Sequence, residues 1–180
     1  DLPRKVDLRE FANVPIGDQG ALGSCTAFAS LAAYRFVAIQ SGVKDFDPSE
    51  LFEYYETRAL EHSVKSDAGA SIRDAIKTIA KKGVCPESVW PYDIKRFAVR
   101  PSPEAVKAAR LRANVEYQQV HQSIVAIKSV LAAKHPVVIG IAVYRSYESA
   151  EACRTGVIPM PTWGEDSLGG HAIALWGYDA

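Results

Sequence analysis

Residues 18–39 read DQGALGSCTAFASLAAYRFVAI. Two glycines, a glutamine and a cysteine come first, and then polar positions nearly vanish. Cys25, Ala27, Phe28, Ala29, Leu31, Ala32, Ala33, Phe36, Val37 and Ile39 leave no wide polar face, and a helix apolar on nearly every side is a buried one. Ser24 is placed to cap that helix and Gly42 to stop it. The cysteine therefore stands at the joint between a loop punctuated by Pro15, Gly17, Gly20 and Gly23 and the first turn of a core helix. There the unpaired N–H groups and the helix dipole favour an anion, which for a thiol means the thiolate.

Downstream, DPSELFEYYETRAL predicts a second helix over about 48–61, with Asp47 as cap, Pro48 at the first helical position and Glu50 completing a capping box. A polar loop, EHSVKSDAGAS, follows. SIRDAIKTIAKKG then places Ile72, Ala75, Ile76 and Ile79 on one helical face and ends at Gly83. The stretch from Cys85 to Pro103 has four prolines and no period, as a crossover between two lobes would. Beyond it the texture changes. PEAVKAARL and SIVAIKSVLAAK read as helices, ANVEYQQV alternates like a strand, and PVVIGIAVY and GGHAIALWGYDA are apolar β runs. The expected fold class is α+β: a mainly helical lobe over residues 12–105, and a mainly β lobe from residues 1–11 and 106–180, with a cleft between them.

Composition narrows the function. Lys plus Arg equals Asp plus Glu, 21 each in 180 residues, and no basic stripe offers a nucleic-acid footprint. No apolar run is long enough to span a membrane, and the first residues, DLPRKVDLRE, do not read as a signal peptide. The three cysteines, Cys25, Cys85 and Cys153, are too far apart for the short paired spacings of a metal site, and at least one is a free thiol. A Cys85–Cys153 bridge is open to geometry, but a buried reduced thiol is the commoner state. No metal or cofactor is expected.

A nucleophilic thiol needs a base. His171, behind Gly169 and Gly170 at the start of the last β run, is the candidate, on the lobe opposite Cys25. Gln19, six residues before Cys25, offers a side-chain amide to an oxyanion that the Cys25 N–H would also bind. Taken singly, each feature has a plainer reading: a core thiol, a structural histidine, a solvated loop amide. Jointly, DQGALGSCTAFA and GGHAIALWGYD resemble the nucleophile and histidine segments of the papain-like cysteine peptidases. LPRKVDLRE resembles the start of the mature enzyme, SDAGASIRDAIKTIAKKGVCPESVWPYD a cleft wall and crossover, and HPVVIGIAVY the core strand of the second lobe.

That resemblance implies a two-lobe fold with a helical left lobe and a β-barrel-like right lobe. It implies endopeptidase chemistry through a Cys25–His171 thiolate–imidazolium pair and an acyl-enzyme, with Gln19 in the oxyanion hole. Gly23, Ser24, Gly69, Ala70 and Gly170 would meet a peptide or protein substrate through the backbone. It also implies an inhibitory prosegment preceding Asp1, and favours a secreted or periplasmic protein. Three departures stand out. Leu22 replaces a cysteine that in the family bridges to the segment matching SDAGA, and that partner is absent too; Thr26 replaces an aromatic residue. Both resemble disulfide-poor bacterial members. The family orients its histidine with an Asn in an Asn-Ser-Trp segment. Here only Asn13 and Asn114 occur, neither in that context, so C-terminal strands are expected to be missing and activity impaired. The rival readings are a peptide- or partner-binding relative on the same fold, and a thiol redox or acyl-transfer protein, the latter disfavoured by the lack of a C-x-x-C pair.

Overall fold

The computed structural model describes residues 2–113 and 115–179; Asn114 lies outside them, as do Asp1 and Ala180. The central helix α1 spans Cys25–Gln40, and the chain turns at Gly42, whose φ of +78° suits the residue that ends it. Helix α2 is Glu50–Leu60. Its cap is Ser49, not the expected Asp47: Ser49 Oγ accepts from the Phe52 N–H at 3.1 Å and donates to the Trp90 carbonyl. Asp47 is drawn away by Arg35, 2.8 Å distant, and Pro48 lies in a bridge to Pro86 ahead of the helix. Helix α3, Ile72–Lys82, ends at Gly83 with φ +83°. A Cβ at Gly83 would stand 2.0 Å from the carbonyl oxygen of Ala109 in helix α4, Pro103–Arg110. Glycine is thus required there by conformation and by close approach together.

Helices α2 and α3 pack on α1 and on each other. Leu22, Ala27, Leu51, Phe52, Tyr54, Cys85 and Trp90 form one buried cluster, and Leu31, Ile79 and Val84 a second. Full burial of each large apolar side chain contributes about 1.5–3 kcal/mol. The other end of α1 enters a third cluster, where Phe36 meets Leu8, Leu131 and Val137. One helix therefore contributes to the helical and to the strand-bearing core, which is why its sequence is apolar nearly all round.

The strands are β1 (Lys5–Asp7), β2 (Val137–Tyr144), β3 (Ser167–Leu175) and β4 (Gly177–Asp179). They form two antiparallel two-stranded sheets, β1–β4 and β2–β3; among the described residues no barrel closes. The single run expected over 169–180 begins earlier, at Ser167, and breaks at Trp176. There the indole stands edge-on to Phe36, and the backbone carbonyl accepts from the Leu8 N–H at 2.7 Å. Gly177 then passes so close to β1 that a Cβ would lie 2.0 Å from the Val6 oxygen. Helix α5, Ile124–Ala132, lies against β2 and β4, and a short α6, Ala150–Thr155, follows β2.

The strand expected over 113–120 is not formed: residues 115–120 have no regular structure. Val115 packs on the Leu31–Ile79–Val84 cluster and Val120 on the cluster around Phe36, so the segment runs from one core to the other. The three thiols are free; Cys85 is buried and Cys153 exposed on α6, so no Cys85–Cys153 bridge exists.

Candidate active site

Cys25 is the first residue of α1 and is half-buried. Among the described residues its N–H has no backbone acceptor, whereas the Ala27 and Phe28 N–H groups donate to the Ser24 carbonyl at 2.9 and 3.3 Å. A donor is thus left free beside the sulfur. Ser24 occupies the cap position but does not cap: no side-chain bond to the helix is made. Its fully buried hydroxyl meets the Tyr92 hydroxyl at 2.6 Å, and Tyr92 donates onward to the Gln19 carbonyl at 2.9 Å. Tyr92 has one hydroxyl proton, so Ser24 is the donor in the first bond. Burial pushes the Tyr92 phenol up from its ordinary value, which keeps that proton in place. Phe28 packs edge-on against the same ring at 5.2 Å.

The turn before Cys25 is closed on itself. The Leu22 N–H donates to the Gln19 carbonyl at 3.4 Å, the Ser24 N–H to the Leu22 carbonyl at 2.8 Å, and the Gln19 side-chain amide to that same carbonyl at 2.8 Å. Gln19, expected to aim its amide at an oxyanion, has one of its two N–H bonds committed to Leu22. Leu22 is 4% exposed and belongs to the helical core, so an apolar anchor holds the turn down. The Gly23 N–H donates to the carboxylate of Asp67, across the gap to the loop carrying Gly69 and Ala70. Gly69 has φ +78°, and a Cβ there would meet the Gly23 carbonyl oxygen at 3.9 Å.

His171 lies mid-strand in β3, paired with Ile141 of β2, and not at the start of a strand as the two glycines suggested. Gly169 and Gly170 are inside the strand and exposed, with open space where a Cβ would project. The pairing shifts where Val143 meets Gly169 and Tyr144 meets Ser167, which leaves Leu168 without a partner. Such a bulge re-aims a strand edge. Val143, Tyr147, Glu148, Leu168, Gly169, Gly170 and His171 line a cavity of about 240 Å³, and Tyr147 stands edge-on to the imidazole with 6.4 Å between ring centres.

Helix α1, opened by Cys25, packs against β3, which carries His171. The fold so joins the two elements that bear the candidate nucleophile and base, and separately joins Gly23 to Gly69. Gly170 borders the cavity beside His171. Tyr92, Asp67 and Tyr147 were missed in the sequence. The first lies in a proline-rich segment with no period, the second in a polar loop, and the third just after a strand, so none had a pattern of its own.

A thiol heads a core helix, and a histidine-bearing strand packs on that helix. The model of the papain family of cysteine proteases matches residues 2–180, and the chain belongs to that family. It is 40% identical, over 96% of its length, to an uncharacterised peptidase C1-like protein of Acanthamoeba polyphaga mimivirus, and it spans 60% of that relative's length. Xylellain, a cysteine protease from Xylella fastidiosa, superposes with a TM-score of 0.88 at 39% identity, covering 99% of this chain and 71% of xylellain. The Carica candamarcensis cysteine protease CMS1MS2 shares the fold at a TM-score of 0.70 and 24% identity, over 99% of this chain and 78% of its own.

Proposed function

We propose that the chain carries the nucleophile and histidine of a cysteine-type endopeptidase. The observation that supports this most is the packing of α1, headed by Cys25, on β3, which carries His171. In this reading the Cys25 thiolate attacks a peptide carbonyl. The new C–S bond leaves a tetrahedral oxyanion, which the Cys25 N–H and the uncommitted N–H of Gln19 stabilise. His171 donates a proton to the departing amine, whose C–N bond breaks. Water, deprotonated by His171, then hydrolyses the thioester and releases Cys25. Gly23, Gly69, Ala70 and Gly170 offer backbone groups to an extended substrate. The buried Ser24 hydroxyl serves the turn through Tyr92, leaving only its backbone for substrate. The lobes divide at residues 12–105 against 1–11 with 106–180, and an inhibitory prosegment is the regulatory partner that family membership suggests.

The test is alkylation by iodoacetamide of the wild type and of His171→Ala, with cleavage of an unstructured protein substrate. A Cys25–His171 pair makes Cys25 react faster in the wild type than in His171→Ala, and Cys25→Ala removes cleavage entirely. Equal alkylation of Cys25 in both proteins, or cleavage that survives Cys25→Ala, refutes the assignment. A peptide-gripping relative with impaired catalysis is the second reading, favoured by the bond that commits the Gln19 amide to Leu22. Peptide binding to the wild-type chain without any turnover would select it.

A further inference from the structure

We propose that Asp67 is a positioning residue that sets the spacing between the nucleophile turn and the opposite loop; this rests on the peptidase reading of the same site. Its carboxylate accepts from the Gly23 N–H through both oxygens, at 3.0 and 3.2 Å, across 44 residues of sequence. Gly23 is two residues ahead of Cys25 and in the turn that Gln19 closes. Asp67 is two residues ahead of Gly69. One carboxylate therefore ties the loop bearing the thiol to the loop offering backbone to a substrate. A Cβ at position 23 would stand 3.0 Å from the Asp67 oxygen, tighter than an ordinary contact, and 3.5 Å from the Gly69 nitrogen, so glycine gives the carboxylate its room.

Asp67 is itself held from below. The Tyr54 hydroxyl donates to Asp67 Oδ1 at 2.5 Å, and burial together with that bond pushes the Tyr54 phenol well above its ordinary range, so it stays a donor. Arg58, fully buried on α2, lies over the Tyr54 ring with its guanidinium carbon 3.9 Å from the ring centre. Its Nη1 donates to the Val64 and Ser66 carbonyls at 2.9 and 3.0 Å, which fixes the residue next to Asp67. The carboxylate thus reaches Gly23 from a base anchored in the helical core, and the short bonds leave it little freedom to swing. A charge-assisted bond of this kind is worth more than a neutral one, and small displacements of a catalytic group carry large rate penalties.

The experiment compares Asp67→Ala, Asp67→Asn and Tyr54→Phe in the full chain, using kcat and KM on a peptide substrate together with hydrogen exchange at the Gly23 amide. Asp67→Ala is expected to lower kcat about tenfold or more and to accelerate Gly23 exchange, while the protein still melts cooperatively. Asp67→Asn keeps an acceptor for the Gly23 N–H and is expected to return to within about threefold of wild type. Tyr54→Phe should move both readouts in the same direction by less. If Asp67→Ala lowers only the melting temperature and leaves kcat of the folded enzyme unchanged, Asp67 is a loop staple and the proposal is overturned. If the wild-type chain cleaves nothing, the peptidase reading fails, and Gly23 exchange still decides the clamp: an amide already unprotected in the wild type overturns it.

Discussion

Replacing Glu53 by glutamine should make the protein more stable, and increasingly so as pH rises. Glu53 is 1% exposed on α2; its Oε1 accepts from Thr57 at 2.9 Å, and its Oε2 has no partner among the described residues. Burial is the main cause that pushes its carboxyl from 4.5 up to about 8; the Thr57 bond and Lys82 pull it down, and Glu56 pushes it up. The folded state therefore holds a proton that the unfolded chain releases above about pH 4.5. Between those two values the native state binds more protons, so stability falls as pH rises, at about 1.4 kcal/mol per pH unit. The ceiling is about 5 kcal/mol, and relaxation around a buried charge roughly halves such penalties, to about 2–3 kcal/mol. With a urea m-value of about 2 kcal/mol/M, the glutamine variant should unfold at about 1 M higher urea at pH 8 and at nearly the same urea at pH 5. Both proteins carry Cys25→Ala to prevent self-digestion, and Glu50, which burial pushes up to about 7, cancels in the comparison. Midpoints that differ by the same amount at pH 5 and pH 8 would refute the reasoning, because a pH-independent gain is a packing effect and not a proton held by the fold.

Other consequences are simpler to measure. Burial pushes the Cys85 thiol up to about 11, so at pH 8 an aromatic disulfide reagent should label Cys25 and the exposed Cys153, and Cys85 only after denaturation; equal rates at all three would contradict the packing. Arg58→Met strands the Val64, Ser66 and Phe97 carbonyls that Arg58 now satisfies and should cost about 3–5 kcal/mol in urea unfolding; a loss below about 1 kcal/mol would show that water satisfies them instead. Gly83→Ala meets both a φ of +83° and the Ala109 oxygen, and should cost about 3 kcal/mol or more. Gly20→Ala, at φ +59° with open space around it, should cost only about 1 kcal/mol; equal losses in calorimetry would mean that the steric contact is not what matters at Gly83.

Much of the chain was legible because its local code is one-dimensional. The Cys25 helix, its stop near Gly42, the amphipathic α3 and its end at Gly83, and the β run over 136–144 follow from periodicity and glycine placement, which short-range geometry dictates. The Cys25 and His171 segments could be matched to a family for the same reason: each is a short contiguous word. Where two local signals competed, the sequence misled. Asp47 and Ser49 can both cap α2, and Arg35, ten or more residues away, took Asp47 out of the contest. The alternation over 113–120 suggested a strand, yet residues 115–120 have no regular structure and Val115 and Val120 instead anchor in two different cores.

The sequence by itself determined the five longer helices, which thiol heads a buried one, and which histidine enters a strand, because those properties depend on neighbours within a few residues; the short α6 was not legible in it. Tertiary structure alone decided that Asp67 reaches Gly23, that Tyr92 holds Gln19 and Ser24, and that Leu22 is an anchor in the core. Hydrogen bonds and burial join residues far apart in the chain, and no periodicity records which polar side chain a fold will bring to a given backbone N–H.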